Sequence, residues 1–593
     1  MEKKLKIGRS DFELIVKNGY YFVDKTMLIR DFYDNGNDIL LIPRPRRFGK
    51  TLNLSMIEHF FDIRKPESKA LFSGFKIAQD KEFCAKHQNK YPVINVSLKD
   101  VKETDWVKCL YKFKTIISNL YKSYRFLLKS EKFDKDEIDF FQNIVSKKAN
   151  EIDYKAGLVN LSKYLQIHFG QEVIILVDEY DAPIISAFNN TNSPIKSPDK
   201  ENKSYYEKVV NFMQGFLGSA YKGNKSLHKG MVTGVMRVGK ESIFSEWNNF
   251  DVFGITMPYF CDSFGFTEAE TQKMLDDFNL SNKKEDVKQW YDGYKFGDVE
   301  NIYNPWSIVN YITKNKAGFK PYWVNSGDYS LIKSRIVEVG VQENIEHLIK
   351  GETIEKELHE NFVFQDFEAD TELLWTLLTD NGYLTQVEES DFDNHKLRIP
   401  NHEIKIVFRN IIKTWLNKEV KLKKDLLIST TRSLINNRIP EFERGFRQLV
   451  GDTFSYYDTA EKTEKHSNTQ TVHSEQIYHV YTLGLLAILK DDYIIKSNKE
   501  SGEGRYDIML IPKDKTKNGI VIEIKSIKKQ KTSEKKEDFI CRVNKEIKKA
   551  LVQIESNKYY SELLENDIKP EKIVKLAIVF VGKEPYIKAI KKN

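Results

Sequence analysis

The sequence predicts an α/β protein of more than one domain, and three observations carry that expectation. Its 593 residues exceed what a single hydrophobic core usually organises. Up to about residue 255, short β-branched runs alternate with helical patterns, as in a parallel sheet with crossover helices. Near the C-terminus two strand patterns, Tyr506 to Ile511 and Gly519 to Ile524, stand between helical segments in an αββαβ order that ends with a strand at Lys575 to Val581.

In the first region, Ile39 to Ile42, Val93 to Leu98, Val173 to Val177 and Met231 to Val235 read as buried strands of a mostly parallel sheet. The Ser-, Asn- and Lys-rich stretch Asn189 to Ser204 reads as a surface insertion. From Phe264 the pattern turns helical, beginning with Thr267 and Glu270 at capping-box spacing. WYDGYKFG and YNPWSIVNYI follow. The segment Leu373 to Val387 reads as a helix, a glycine turn and a strand-like end, which suits either a winged-helix-like unit or a helical connector. A further apolar helix is expected from Gln476 to Leu489. The expected domains are 1–255, a helical middle at 256–430, and 431–593.

Composition narrows the class. Hydrophobic residues make up 40% of the chain and charged residues 30%, enough apolar surface for buried cores and too much for a disordered chain. The net charge of +7, from 93 basic and 86 acidic residues, permits a nucleic-acid partner without requiring one. Four cysteines without CxxC spacing predict neither a zinc site nor a disulfide framework, so a cytoplasmic location is expected. The N-terminal stretch lacks an apolar signal core, and apolar runs such as Leu483 to Leu489 fall far short of the roughly 20 residues that cross a bilayer, so no membrane partner is expected.

The strongest chemical signal is DILLIPRPRRFGKTLNLSMIEHFF. Phosphate binding needs a loop between a buried strand and a helix, where backbone N–H groups face the anion and a lysine reaches the β and γ phosphates. Ile39 to Ile42 supplies the strand, Arg44 to Phe48 the loop, Gly49, Lys50 and Thr51 its ending, and Leu52 to Phe61 the helix. Position 44 departs from the GxxxxGK[ST] pattern, carrying arginine where the first glycine is expected. Arg46 and Arg47 are either phosphate contacts or solvated loop charges. An acidic pair at the end of a neighbouring strand would complete the site with Mg²⁺: Asp178 to hold the ion with Thr51, and Glu179 to orient the attacking water. A third strand ends near Thr233 and Arg237, which would act as a polar sensor and a cation beside the γ-phosphate, or form an ordinary basic strand exit.

Together, RPRRFGKT, LVDEYDAPI, TGVMRVGKESIF, WYDGYKFG, YNPWSIVNY, RYDIMLI and VIEIK give a sequence that resembles the AAA-ATPase-like proteins with a C-terminal nuclease-like domain of the PD-(D/E)XK superfamily. The resemblance covers nearly the whole chain. It implies a P-loop NTPase-type parallel sheet, a helical, winged-helix-like middle and a restriction-endonuclease-like α/β domain. It also implies that arginine at the first P-loop position is usual.

Hydrolysis of a phosphodiester requires carboxylate-clamped Mg²⁺ and a group that positions water. Asp507 in GRYDIMLI, with Glu523 and Lys525 in EIK, offers that set. On a strand, Glu523 and Lys525 share one face and would point together toward Asp507. Asp507 and Glu523 would hold the metal, and Lys525 would position water or offset developing charge. Glu475 resembles the extra helix carboxylate of the superfamily and is a further expected metal ligand. His479 reads as a packing or surface residue, and Gln553 as either a substrate contact or helix packing. The lysine run beside the EIK triplet is either a solvated face or a guide for a phosphate backbone.

The sequence therefore predicts a protein that binds or hydrolyses ATP with Mg²⁺ and cleaves nucleic acid, DNA favoured by the resemblance. One alternative is a nucleotide-dependent switch or scaffold whose C-terminal domain binds nucleic acid or protein without cutting. Another is an ATPase whose partner is a protein recognised by 256–430. Self-association is left open.

Overall fold

The structure, a computed structural model, describes residues 4–191, 204–237, 250–323, 341–359, 372–391, 394–421, 424–454, 478–479, 481–501, 504–527, 530, 534–581 and 584–591. By packing, the chain falls into two compact units: residues 1–335 with 351–407, and residues 336–350 with 408–593. The segment expected as a middle domain is thus shared, most of it belonging to the first unit and residues 336–350 and 408–430 to the second.

The first unit is built on a parallel sheet of β1 (Ile39–Pro43), β2 (Val93–Ser97), β3 (Val173–Asp178), β4 (Leu227–Gly234) and β5 (Phe250–Val252). Its spatial order is β2-β3-β4-β1-β5. Every residue of β1 and β3 is buried, which is why both read as continuous apolar runs rather than alternating ones. β5 follows TGVMRVGKESIF, had no strand signature of its own, and is only three residues long.

The helix Lys50–Phe61 leaves β1 and sends Leu54, Ile57 and Phe60 into a core that also takes Phe264, Tyr294, Phe296 and Ile302. Residues after 255 therefore contribute to the core of the parallel sheet. They open with the helix Glu268–Asp277, whose expected capping box forms in both directions between Thr267 and Glu270. The hairpin β6 (Tyr294–Phe296) and β7 (Val299–Ile302) follows, then the helix Pro305–Thr313. The helix Leu373–Asp380 leads through a glycine turn into β9 (Thr385–Asp391) and β10 (Asn394–Arg398), which pair antiparallel with each other and with β8 (Ile354–Glu357) in the order β8-β10-β9. A helix followed by an antiparallel hairpin is more than a plain connector; the middle is helical with this small sheet attached.

In the second unit β11 (Tyr493–Ser501), β12 (Gly504–Pro512), β13 (Gly519–Ile527), β14 (Ile573–Val581) and β15 (Glu584–Lys591) lie side by side in chain order. Only β13 and β14 run parallel, joined by the crossover helix Lys536–Ser556. Alternation decides the two faces. Ile508, Leu510, Ile522 and Ile524 pack with Tyr478, Tyr481 and Leu485, while Met509, Ile511 and Val521 pack under Val543, Ile547 and Ile554 of the crossover helix. The expected αββαβ core is present and is flanked by β11 and β15. The helix expected to Leu489 ends early, passing into a 3₁₀ turn at Ala487–Asp491. Among the described residues no helix is long and apolar enough to cross a membrane.

Candidate functional site

β1 delivers the loop Arg44 to Gly49 to the start of the helix Lys50–Phe61. The turn into that helix needs left-handed backbone at Arg47 (φ 71°) and Gly49 (φ 92°), and position 44 needs none. Lys50 is buried and folds back over the loop, its Nζ donating to the carbonyls of Arg44 (2.7 Å) and Pro45 (3.0 Å). Burial lowers the pKa of its ammonium, with Asp178, Asp181 and Glu179 acting in the opposite sense.

The acidic strand is not the neighbour of β1 as the sequence led us to expect. β4 lies between them, and the gap is bridged by side chains. Thr51 Oγ1 donates to Asp178 Oδ2 at 2.7 Å, and Thr233 Oγ1, from the intervening strand, donates to Asp178 Oδ1 at 2.8 Å. The first turn of the P-loop helix and the ends of β3 and β4 thus meet at one buried carboxylate. Glu179 follows with left-handed backbone (φ 50°), and its carboxyl pKa is raised by burial and by Asp178 against the pull of Lys50. Arg46 is half-buried, whereas Arg47 is exposed with its guanidinium 4.0 Å over the ring of Trp306.

In the second unit the pairing of β12 with β13 stops at Ile508 opposite Ile522. One position further on, the strands part at Asp507 and Glu523. Asp507 Oδ2 accepts from the Ile524 amide at 2.7 Å. Glu523 is 2% exposed, and its Oε1 accepts from Lys525 Nζ at 2.8 Å. The three expected residues therefore gather where the sheet opens. His479 is buried, with Nε2 3.0 Å from the Asp507 carbonyl oxygen and 3.2 Å from Ser497 Oγ, so it braces the strand that carries Asp507. Gln553 donates to Tyr559 Oη at 3.0 Å, a contact that closes the end of the crossover helix. Glu475 and part of the lysine run lie outside the described residues.

Residues 6–244 match the family model of a predicted AAA-ATPase, and residues 473–590 match that of the PD-(D/E)XK nuclease superfamily. The chain joins an AAA-ATPase-like domain to a PD-(D/E)XK nuclease-superfamily domain. A curated relative, the uncharacterized protein in the vnfD 5' region of Azotobacter chroococcum mcd 1, is 24% identical over 414 residues, 68% of each chain. A solved structure, the Walker-type ATPase PABY2304 of Pyrococcus abyssi, aligns over 69% of this chain and 100% of its own, with 12% identity and a TM-score of 0.35.

Several residues of the first unit escaped the sequence reading. Arg44, at the anomalous P-loop position, is wholly buried. Its guanidinium donates to the carbonyls of Pro43 (2.9 Å), Phe253 (2.6 Å), Tyr259 (3.2 Å) and Phe260 (3.2 Å) and lies near the rings of Phe264 and Phe296. Burial pushes its pKa down to about 10, so it stays charged at neutral pH. Asp181, two residues past the expected acidic pair, accepts from the amides of Val235 (2.8 Å) and Met236 (3.0 Å) and so ties the exits of β3 and β4 together. Asp380, at the end of the helix Leu373–Asp380, has its pKa pushed up to about 7 by burial, opposed by Arg237 and reinforced by Asp181. Arg237 thus lies in the field of a carboxyl 143 positions away in the chain, which no local pattern could reveal.

Proposed function

We propose that the protein binds and hydrolyses ATP in its AAA-ATPase-like domain and cleaves phosphodiester bonds of DNA in its nuclease-superfamily domain, the first activity controlling the second. The observation that carries this reading is the convergence of Asp507, Glu523 and Lys525 at the parting of β12 and β13, in a chain whose other unit gathers Lys50, Thr51 and Asp178 at a phosphate loop.

Both oxygen-donor sets suit Mg²⁺, which prefers hard ligands and keeps several waters. In the first unit Thr51 and Asp178 would hold the ion beside the phosphates. Lys50 would exchange its two loop carbonyls for β and γ phosphate oxygens, Glu179 would orient the attacking water, and Gly49 with Arg46, Arg47 and Arg237 would add donors and cations to the polyphosphate. In the second unit Asp507 and Glu523 would hold the ion, while Lys525, released from Glu523, would position water and offset developing negative charge. Mg²⁺, when bound, supplies charge neutralisation at phosphate oxygen and a more acidic water.

The test is a panel of duplex, single-stranded and RNA substrates with and without ATP and Mg²⁺, run on wild type, Lys50→Ala and Asp507→Ala. Cleavage should need Mg²⁺, vanish in Asp507→Ala with nucleic-acid binding retained, and lose its response to ATP in Lys50→Ala. Cleavage indifferent to ATP and to Lys50→Ala ends the control hypothesis. No cleavage by wild type on any substrate would favour the switch or scaffold.

A further inference from the structure

The YNPWS segment, which the proposed chemistry leaves unused, makes direct contact with the phosphate loop. An anion-binding loop works when its N–H groups converge on the ligand and its carbonyls face away. Here the carbonyls have partners: Lys50 takes those of Arg44 and Pro45, and the Gly265 amide takes that of Phe48 at 3.1 Å. The Arg46 carbonyl is taken by two side chains from beyond the sheet, Asn304 Nδ2 at 3.4 Å and Trp323 Nε1 at 3.3 Å.

Asn304 does two jobs. Its Oδ1 caps the helix Pro305–Thr313 through the amides of Trp306 (2.9 Å) and Ser307 (3.3 Å), and the capped Trp306 is the ring under Arg47. Trp323 is held in turn by Glu403, whose Oε1 accepts from the Trp323 amide at 2.7 Å while Oε2 accepts from Ser307 Oγ at 2.7 Å. Glu403 is 1% exposed and stands in the first turn of the helix His402–Lys421. That helix runs on from residues of the first unit into residues of the second.

We propose that Asn304, Trp323 and Glu403 form a hydrogen-bonded relay that holds the P-loop in its phosphate-binding conformation and reports its occupancy to the helix His402–Lys421. The relay rests on the ATP reading above. When phosphate draws Lys50 away from the carbonyls of Arg44 and Pro45, the Arg46 carbonyl keeps its two side-chain donors. Strain in the loop then reaches Trp323 and, through its amide, the carboxylate that opens the helix. Asn304, Trp323 and Glu403 act through the loop and are positioning residues.

The test uses the full-length protein, a fluorescent ATP analogue with Mg²⁺, and amide hydrogen exchange over 402–421. Trp323→Phe keeps an aromatic ring and the backbone amide but loses Nε1–H; Asn304→Asp keeps the helix cap but loses Nδ2–H. Each should weaken nucleotide binding by about 3- to 10-fold, the worth of one hydrogen bond, with melting temperature held within a few degrees. In wild type, nucleotide should slow exchange in the first turns of 402–421, and both variants should blunt that change. Variants that bind nucleotide as wild type does would overturn the positioning role. Wild type that binds nucleotide without any change in 402–421 would overturn the relay alone. Wild type that binds no nucleotide would bring down the ATP reading and the relay together.

Discussion

Arg44 and Lys50 sit six positions apart and divide the work of one loop. Because position 44 keeps an ordinary backbone, a glycine there is not required, and the arginine instead gathers four carbonyls, those of Pro43 and Phe253 in buried hydrogen bonds. Removing it should be costly in stability and indirect in function. Arg44→Ala is expected to destabilise the first unit by roughly 3 kcal/mol, since buried acceptors lose their donor at once; thermal melting checks this. Lys50→Ala also strips two buried carbonyls of their donor, but it removes a buried charge as well, so the melt should fall less than in Arg44→Ala while ATP affinity drops about 10- to 100-fold, as charge-assisted bonds to phosphate are lost. Glu403 adds a pH signature. Its carboxyl is raised from 4.5 to about 7 by burial, against the donors Trp323 and Ser307. Between those values the folded state holds the proton more tightly than the unfolded one, so its contribution to stability is largest below pH 4.5 and is lost as pH rises through 7. Glu403→Gln should therefore flatten the fall in melting temperature between pH 5 and pH 8. An unchanged slope would rule Glu403 out as its source.

At the scale of elements, legibility followed local chemistry. β1 and β3 were readable because strands covered on both sides are continuous apolar runs, and the Thr267 capping box was readable because both its partners lie within four residues. β11 and β15 were not, for a physical reason. They are the edges of their sheet, and edges carry lysines and a proline, Pro585 near the start of β15, that discourage pairing with another chain. The Asp507, Glu523 and Lys525 constellation was legible because strand alternation alone puts them on one face. Arg44, Asp380 and the Trp323 contact were not, because each depends on tertiary neighbours. WYDGYKFG falls in between: its motif was visible, but its reason was not. Gly293 has φ 107°, and a Cβ there would lie 2.1 Å from the Pro400 carbonyl oxygen. Gly293→Ala should thus cost roughly 2–4 kcal/mol by strain and overlap and separate β6 from the segment before the helix His402–Lys421. A melt unchanged by that substitution would refute this account of the motif.

At the scale of the whole molecule, the two units have separate hydrophobic cores, one around the P-loop helix and β6, the other on the two faces of the β11–β15 sheet. Separate cores allow separate unfolding, so calorimetry should resolve two transitions rather than one. A ligand stabilises only the fold that binds it, by about 2.7 kcal/mol at a hundred times its dissociation constant. ATP with Mg²⁺ should accordingly raise the transition of the first unit and leave that of the second nearly in place. Lys50→Ala should abolish the shift, and Asp507→Ala should not touch it, because Asp507 belongs to the other core. If ATP moved both transitions together in wild type and in Asp507→Ala, the units would be thermodynamically coupled, and control of the nuclease domain by nucleotide would run through stability itself. If it moved only the first, communication would pass through a local element, and the helix His402–Lys421 is a described element whose residues belong to both units.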